Sequence, residues 1–376
     1  MRRRAPCWVA ALALAVAASE PSVAFEKRAV PIASFFRPPE VQGVSLNADG
    51  RFFVSFVRLG STREVRVHRR ASSEHSVALV TDTEVDVRIF WVGRDRFVIS
   101  SGRRDGAKWT AEVVVVADEG EDVIRERYWI ASRGWVLHGL PDEDGFALFE
   151  RGDSIYRIDV RAFSAKEAVD EWLSPAHRVT ELPAGSVLVV VDRDGDVRGA
   201  LTIERSGDED IDYRIHHRPR GSSSWSEALS WTQDDKFFVR PLGFTADGAR
   251  LLVASDRERD RAALVELDPE TGSEGAVMFE HPTAELTALE YDHGGHTLVG
   301  VQYREAGEHR MHYFADAFAA ERARIAERLP GRTIRVRSTN ADNSAIGFFA
   351  YADTDTGGFF LYDAETDTVR EVGRVS

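Results

Sequence analysis

Short apolar runs recur along this chain, each broken by a polar turn, at a nearly constant interval. "LNADGRFFVSFV" (Leu46 to Val57) reads as a strand, a short polar turn with Gly, and a second apolar strand, which is a hairpin signature. "FTADGARLLVAS" (Phe244 to Ser255) is a near copy, and "LPDEDGFALFE", "VVDRDGDVRGALTI", "YDHGGHTLVGVQY" and "STNADNSAIGFFAY" are weaker ones. Their turns fall at Gly50, Gly145, Gly195, Gly248, Gly295 and Asn343, and "WVGRDRFVISS" fills the one long gap with a turn near Arg94. The result is seven units spaced by roughly 44 to 53 residues. A third strand follows each hairpin, often closed by an Asp-containing turn, as in "ALVELDPETG", "FFLYDAETD" and the shorter "IYRIDV". A fourth short strand comes next, as in "GAVMFEH" and "DTVREVG".

Four antiparallel strands in each of seven units predict an all-β fold, a seven-bladed β-propeller whose closed ring leaves only short sheet edges. Two unrelated β-sandwiches would match the strand content but not the spacing. One segment breaks the pattern. "ADAFAAERARIAERLPGRT" places Phe318, Ile325 and Leu329 on one helical stripe and ends at Pro330. It predicts a short helical insertion between blades six and seven, replacing or overlying the last strand of the sixth.

Composition narrows the function. The chain has 376 residues, 43% of them hydrophobic, which is ample for a large core. Its formal charge of -14 argues against nucleic acid or an anionic membrane as the main partner. The first residues stand apart. "MRRR" is a basic n-region, "CWVAALALAVAA" an apolar h-region, and "PSVA" ends in a small-x-small pattern at Ser22 and Ala24. Residues 1–24 are therefore expected to be a signal peptide cleaved after Ala24, and 25–376 the propeller domain. The apolar run is shorter than the roughly 20 residues a membrane span needs. The expected location is periplasmic or secreted, with no membrane attachment after cleavage. Removing Met1 to Ala24, with three Arg and one Glu, moves the net charge to -16 and takes away the single cysteine, Cys7. The mature chain then has neither disulfide nor thiol chemistry.

The stretch "VPIASFFRPPEVQGVSLNADGRFFVSF" (Val30 to Phe56) resembles the start of the N-terminal propeller in serine peptidases of the prolyl oligopeptidase family, the dipeptidyl aminopeptidase and acylaminoacyl peptidase branch above all. "SDRERDRAALVELDPETG" (Ser255 to Gly272), the block from Leu289 to Val336, and "FFAYADTDTGGFFLYDAETD" (Phe348 to Asp367) carry the same resemblance, which runs from about Pro31 to Val372. It implies an α/β-hydrolase domain after the propeller, with its nucleophile in a G-x-S-x-G elbow. No G-x-S-x-G occurs here, and "GSSSWS" (Gly221 to Ser226) lacks the second Gly and sits in a polar loop. The chain stops where the hydrolase would begin, so the family's catalytic residues match no position. The expectation is a non-catalytic exported propeller that binds peptide or protein. Two alternatives remain open: the gating half of a split peptidase whose α/β-hydrolase domain is a separate chain, and a truncated remnant.

Candidate sites are few. Asp49, Gly50, Asp247 and Gly248 read as structural turn formers. "DRDGD" (Asp192 to Asp196) looks like a calcium loop, but its Gly is fourth where an EF-hand needs it sixth, and a hairpin turn explains it. His293 and His296, and His309 and His312, are three apart, which on a strand means opposite faces. His216 and His217 are adjacent and also alternate. No cofactor or metal is expected. Arg257, Glu258 and Arg259, in a second-to-third-strand loop, are the candidate contacts for a peptide terminus or partner, against the plain reading of a solvated charged loop. Trp91 is expected in the core, while Trp109 and Trp135 are candidate surface anchors.

Overall fold

The computed structural model describes residues 40–72, 74–103, 109–140, 142–164, 171–206, 210–293 and 298–375. The expected signal peptide and the start of the propeller domain at residue 25 lie outside them. Seven antiparallel sheets follow one another in chain order. Blade 1 spans 41–82, blade 2 85–132, blade 3 135–181, blade 4 186–232, blade 5 239–279, blade 6 285–313 and blade 7 333–374. Each strand pairs with the next in sequence, so each unit folds as a meander. This is the seven-bladed propeller that the spacing predicts.

Blade 6 differs from the rest. It has three strands, and a helix, Asp316–Arg328, stands where the fourth would be. The helix therefore replaces the last strand. Ile325 is fully buried and packs on Ile346, Phe348, Phe360 and Tyr362 of blade 7. On the other side Arg322 is buried and donates to the Glu290 carboxylate of blade 6 at 2.9 Å. The strand Glu308–Tyr313 is left with one free edge among the described residues.

The turns form for local reasons. Gly50 and Gly248 have φ of 69° and 68°, a conformation that costs Gly nothing and other residues a steric clash. Asp49 Oδ1 accepts from Asn47 Nδ2 at 2.7 Å and from the Arg51 amide at 3.1 Å. Asp247 Oδ1 accepts from Thr245 Oγ1 at 2.6 Å and from the Ala249 amide at 3.0 Å. The Asp-closed third strands end alike: Asp268 Oδ1 accepts from the Glu270 amide and Asp363 Oδ1 from the Glu365 amide, at 2.9 and 3.1 Å. These side chains satisfy amides that no ladder reaches.

Apolar residues between neighbouring blades form the core. One cluster joins blades 1 and 2 through Phe52, Val65, Phe97 and Val114, and another joins blades 2 and 3 through Val113, Ile130, Phe149 and Ile158. Further clusters join blades 3 and 4, 4 and 5, and 5 and 6. The ring closes when Val41, Val44 and Leu46 of blade 1 pack on Ala345, Phe359 and Leu361 of blade 7. Both terminal blades are built from consecutive strands, so the closure is one of side-chain packing rather than a shared sheet. Each fully buried Val, Leu or Phe contributes about 1.5–3 kcal/mol. The seam between blades 6 and 7 is the exception: among the described residues its apolar packing is supplied by the helix.

Candidate functional site: the channel mouth

The first strands of the blades line the inside of the ring. Residues from blades 1, 2, 3, 6 and 7 surround one cavity of about 290 Å³, among them Ser45, Trp91, His138, His293 and Ser338. Residues from blades 3 to 6 surround another of about 520 Å³, among them His138, Arg193, Phe244 and Tyr291. His138 lines both. Most lining residues sit at the C-terminal ends of the first strands and in the turns that follow, and the second cavity reaches further between blades 5 and 6 to Leu252, Glu266, Met278 and Leu298, so the two cavities form a channel mouth on one face of the propeller.

Neighbouring turns hold that mouth together. The Ala341 amide of blade 7 donates to the Ala48 carbonyl of blade 1 at 2.8 Å. Buried Asn47 of blade 1 donates to the Arg94 carbonyl of blade 2 at 2.7 Å. Arg193 and Arg198 of blade 4 donate to the Ala246 and Gly248 carbonyls of blade 5, at 3.2 and 2.9 Å. His293 Nδ1 of blade 6 donates to the Thr339 carbonyl of blade 7. Trp91 is half-buried: it packs on Phe97 with ring centroids 4.9 Å apart, donates Nε1–H to the Ser45 carbonyl at 3.2 Å, and lines the mouth. It therefore belongs to both core and channel wall.

Other predicted candidates fall elsewhere. Arg257, Glu258 and Arg259 lie in the second-to-third-strand loop of blade 5, at the opposite end of the strands from the mouth. Arg257 donates to the Gly272 carbonyl at 3.3 Å and lies 5.7 Å from the Phe237 ring centroid. Arg259 pairs with Glu274 at 2.5 Å, and Glu258 takes the left-handed tip at φ 57°. Both guanidinium groups are engaged within the blade. Trp109 and Trp135 pack against each other at 5.5 Å, with the Arg88 guanidinium over both rings at 4.9 and 5.4 Å. Burial pushes nearby Glu150 up to about 7, against the pull of Arg88.

Asp192 has no oxygen to offer a cation. Its Oδ1 accepts from the Asp194 and Asp196 amides at 3.0 and 2.9 Å. Its Oδ2 meets Arg198 at 3.2 Å and Arg220 at 3.0 Å. Burial opposes its ionisation, but these donors hold it below the usual carboxylate range. Arg198 Nη2 also meets His217 Nε2 at 3.1 Å, and burial with that positive charge brings His217 down to about 4. His216 points to the other face and bonds Thr202 Oγ1 at 3.1 Å. In "GSSSWS", Ser222 Oγ accepts from the Ser224 amide at 3.0 Å, a loop contact. His296 lies outside the described residues.

The class defined by this geometry is a seven-bladed propeller with an open central mouth. No protein-family model matches the chain, and no curated protein matches it by sequence. Solved structures do match. A prolyl endopeptidase is similar over 91% of this chain and 50% of its own, at 13% identity and a TM-score of 0.53. Prolyl oligopeptidase B from Galerina marginata, bound to a 35mer hydrolysis and macrocyclization substrate, is similar over 91% of this chain and 51% of its own, at 9% identity and a TM-score of 0.53. Oligopeptidase B from Leishmania major is similar over 92% and 50%, at 10% identity and a TM-score of 0.50. The chain thus has the fold of the propeller in prolyl oligopeptidase-family structures and spans about half their length; it does not cover their catalytic hydrolase domain.

Proposed function

We propose that this chain is a non-catalytic, exported propeller that binds peptide or protein at its channel mouth. The observation that carries this reading is the mouth itself: a concavity walled by first strands of all seven blades, mixing Trp91, Tyr291 and Phe244 with His138, Arg193 and Ser338. Such a mixture of apolar surface and a few convergent polar groups suits an extended peptide. The basic, apolar and small-x-small pattern of Met1 to Ala24 supports export. A second reading is favoured by the matched lengths: the chain gates access to an α/β-hydrolase that acts with it.

The test is retention of a tryptic casein digest on the immobilised chain, read by mass spectrometry. A defined subset of peptides is expected to be retained, and Trp91→Ala is expected to reduce retention at least ~10-fold if the indole stacks on the ligand. Passage of all peptides through the column would sink the binding reading. Cleavage products appearing in the eluate of the chain alone would sink the non-catalytic one.

A further inference from the structure

The seam between blades 6 and 7 holds a cavity of about 420 Å³ that runs on from the channel mouth. Its blade 7 wall is the strand Thr333–Thr339, which carries Arg335 and Arg337. Among the seven first strands it alone carries two arginines. The pairing of this strand skips Arg337: Val336 faces Phe348 and Ser338 faces Gly347. Arg337 is thus the extra residue of a bulge, which turns a side chain out of the ladder. It is exposed to water and stays charged, although burial first, then the charge of Arg335, lowers its pKa from the ordinary value.

Neither guanidinium has a hydrogen bond, ion pair or ring contact among the described residues. Among the described residues Arg335 Nε is buried without a hydrogen-bond partner, and so is His309 Nδ1 of blade 6, which lines with Arg335 a smaller neighbouring cavity at the same seam. Burial and then the charges of Arg335, Arg304 and Arg337 keep His309 below its ordinary value, which places the cluster together. The carboxylates nearby are committed. Glu290 is held by Arg322 at 2.9 Å, and Asp292, at the mouth end, is also engaged. In a chain of formal charge -14, two neighbouring arginines with no acidic partner among the described residues leave donors that an anion can fill.

We propose that Arg335 and Arg337 form a carboxylate-binding site in the channel wall, which anchors a peptide by its C-terminus or by an acidic side chain. This rests on the peptide-binding reading above. Arginine forks accept a carboxylate in two parallel hydrogen bonds, so the pair sets the register of the bound peptide.

The test uses Gly-Ala-Phe-Ala-Ala as free acid, the same peptide as its C-terminal amide, and an amide with Glu in the last position, each titrated calorimetrically. Either carboxylate peptide is expected to bind at least ~10-fold more tightly than the neutral amide. Preference for the free acid assigns the terminal carboxylate; preference for the Glu peptide assigns the side chain. The advantage should vanish in Arg335→Gln and in Arg337→Gln, with neutral-amide binding unchanged. It should survive in Arg310→Gln, which makes the same change in net charge at an exposed site. Equal binding of all three peptides overturns the anion site and leaves the binding reading standing. Binding of none overturns both. An advantage that survives Arg337→Gln, or is lost equally in Arg310→Gln, also overturns the site.

Discussion

Two seams of the ring hold arginines and use them in opposite ways. Between blades 4 and 5, Arg198 is buried, donates to the Gly248 and Arg218 carbonyls, pairs with Asp192 and covers the Phe244 ring at 4.8 Å. Phe244 belongs to an apolar cluster drawn from both blades. Between blades 6 and 7, Arg335 and Arg337 face a cavity, with no carboxylate paired to them among the described residues. The first arrangement fastens blades together, and every donor has a reason in the fold. The second has none there, which is why it points to a ligand. Burial and partner count separate the structural arginine from the available one; residue type does not.

The largest effect is expected at the fastened seam. Asp192→Ala leaves Arg198 buried without its counter-charge and removes the acceptor of two turn amides. Urea unfolding should show a loss of about 3 kcal/mol, since breaking a buried pair strands the remaining charge. A loss under ~1 kcal/mol would mean that Arg220 and the carbonyls compensate, and that the seams differ less than their geometry implies.

The seam between blades 2 and 3 stands between these extremes. There Arg88 has two indole rings and the half-buried Glu150. The Glu150 carboxyl, at about 7 in the folded chain, lies above its ordinary value of 4.5. Between these values the folded state holds the proton more tightly than the unfolded state, so this group's contribution to stability falls as pH rises through the window. Glu150→Gln mimics the protonated form. It should match the parent at pH 4 and exceed it by about 1–2 kcal/mol at pH 8, after allowing for solvent screening. A variant weaker than the parent at pH 8 would show that attraction to Arg88 outweighs burial.

The smallest effect is expected at the open seam. Arg337→Gln removes a like-charge neighbour of Arg335 and no hydrogen bond or ion pair among the described residues. Thermal unfolding should place it within ~0.5 kcal/mol of the parent, on the stabilising side. A clear destabilisation would make Arg337 structural and erase the contrast.

The fold was legible because each blade writes its own hairpin. The Asp-Gly turns at Asp49 and Asp247 recur with the blade interval, and the left-handed glycines follow from local sterics alone. The helix was legible too, since Phe318, Ile325 and Leu329 share a stripe. The channel was not. Its wall draws single residues such as Trp91, His138 and Arg337 from first strands about fifty positions apart, and only ring closure brings them together. "TIRVRST" reads as an ordinary alternating strand; the bulge that exposes Arg337 appears only in its pairing with Phe348 and Gly347. Counting charges on the first strand of each unit was the one available signal. The Arg257 to Arg259 loop stands out in the sequence because its charges are contiguous, but nearby carbonyl and carboxylate groups engage both arginines.

The helix that replaces the fourth strand of blade 6 bears on how molecules of this protein behave toward one another. Among the described residues Glu308–Tyr313 keeps a row of backbone donors and acceptors along an edge with no strand beside it. In a crowded solution such an edge is a template for cross-molecular pairing and fibril growth. Here it is six residues long, and its outward positions are Glu308, Arg310 and His312, the first two joined as an ion pair at 2.7 Å. An incoming strand would have to strip water from those groups before it could pair. The sequence has traded a strand for a helix without leaving an adhesive margin.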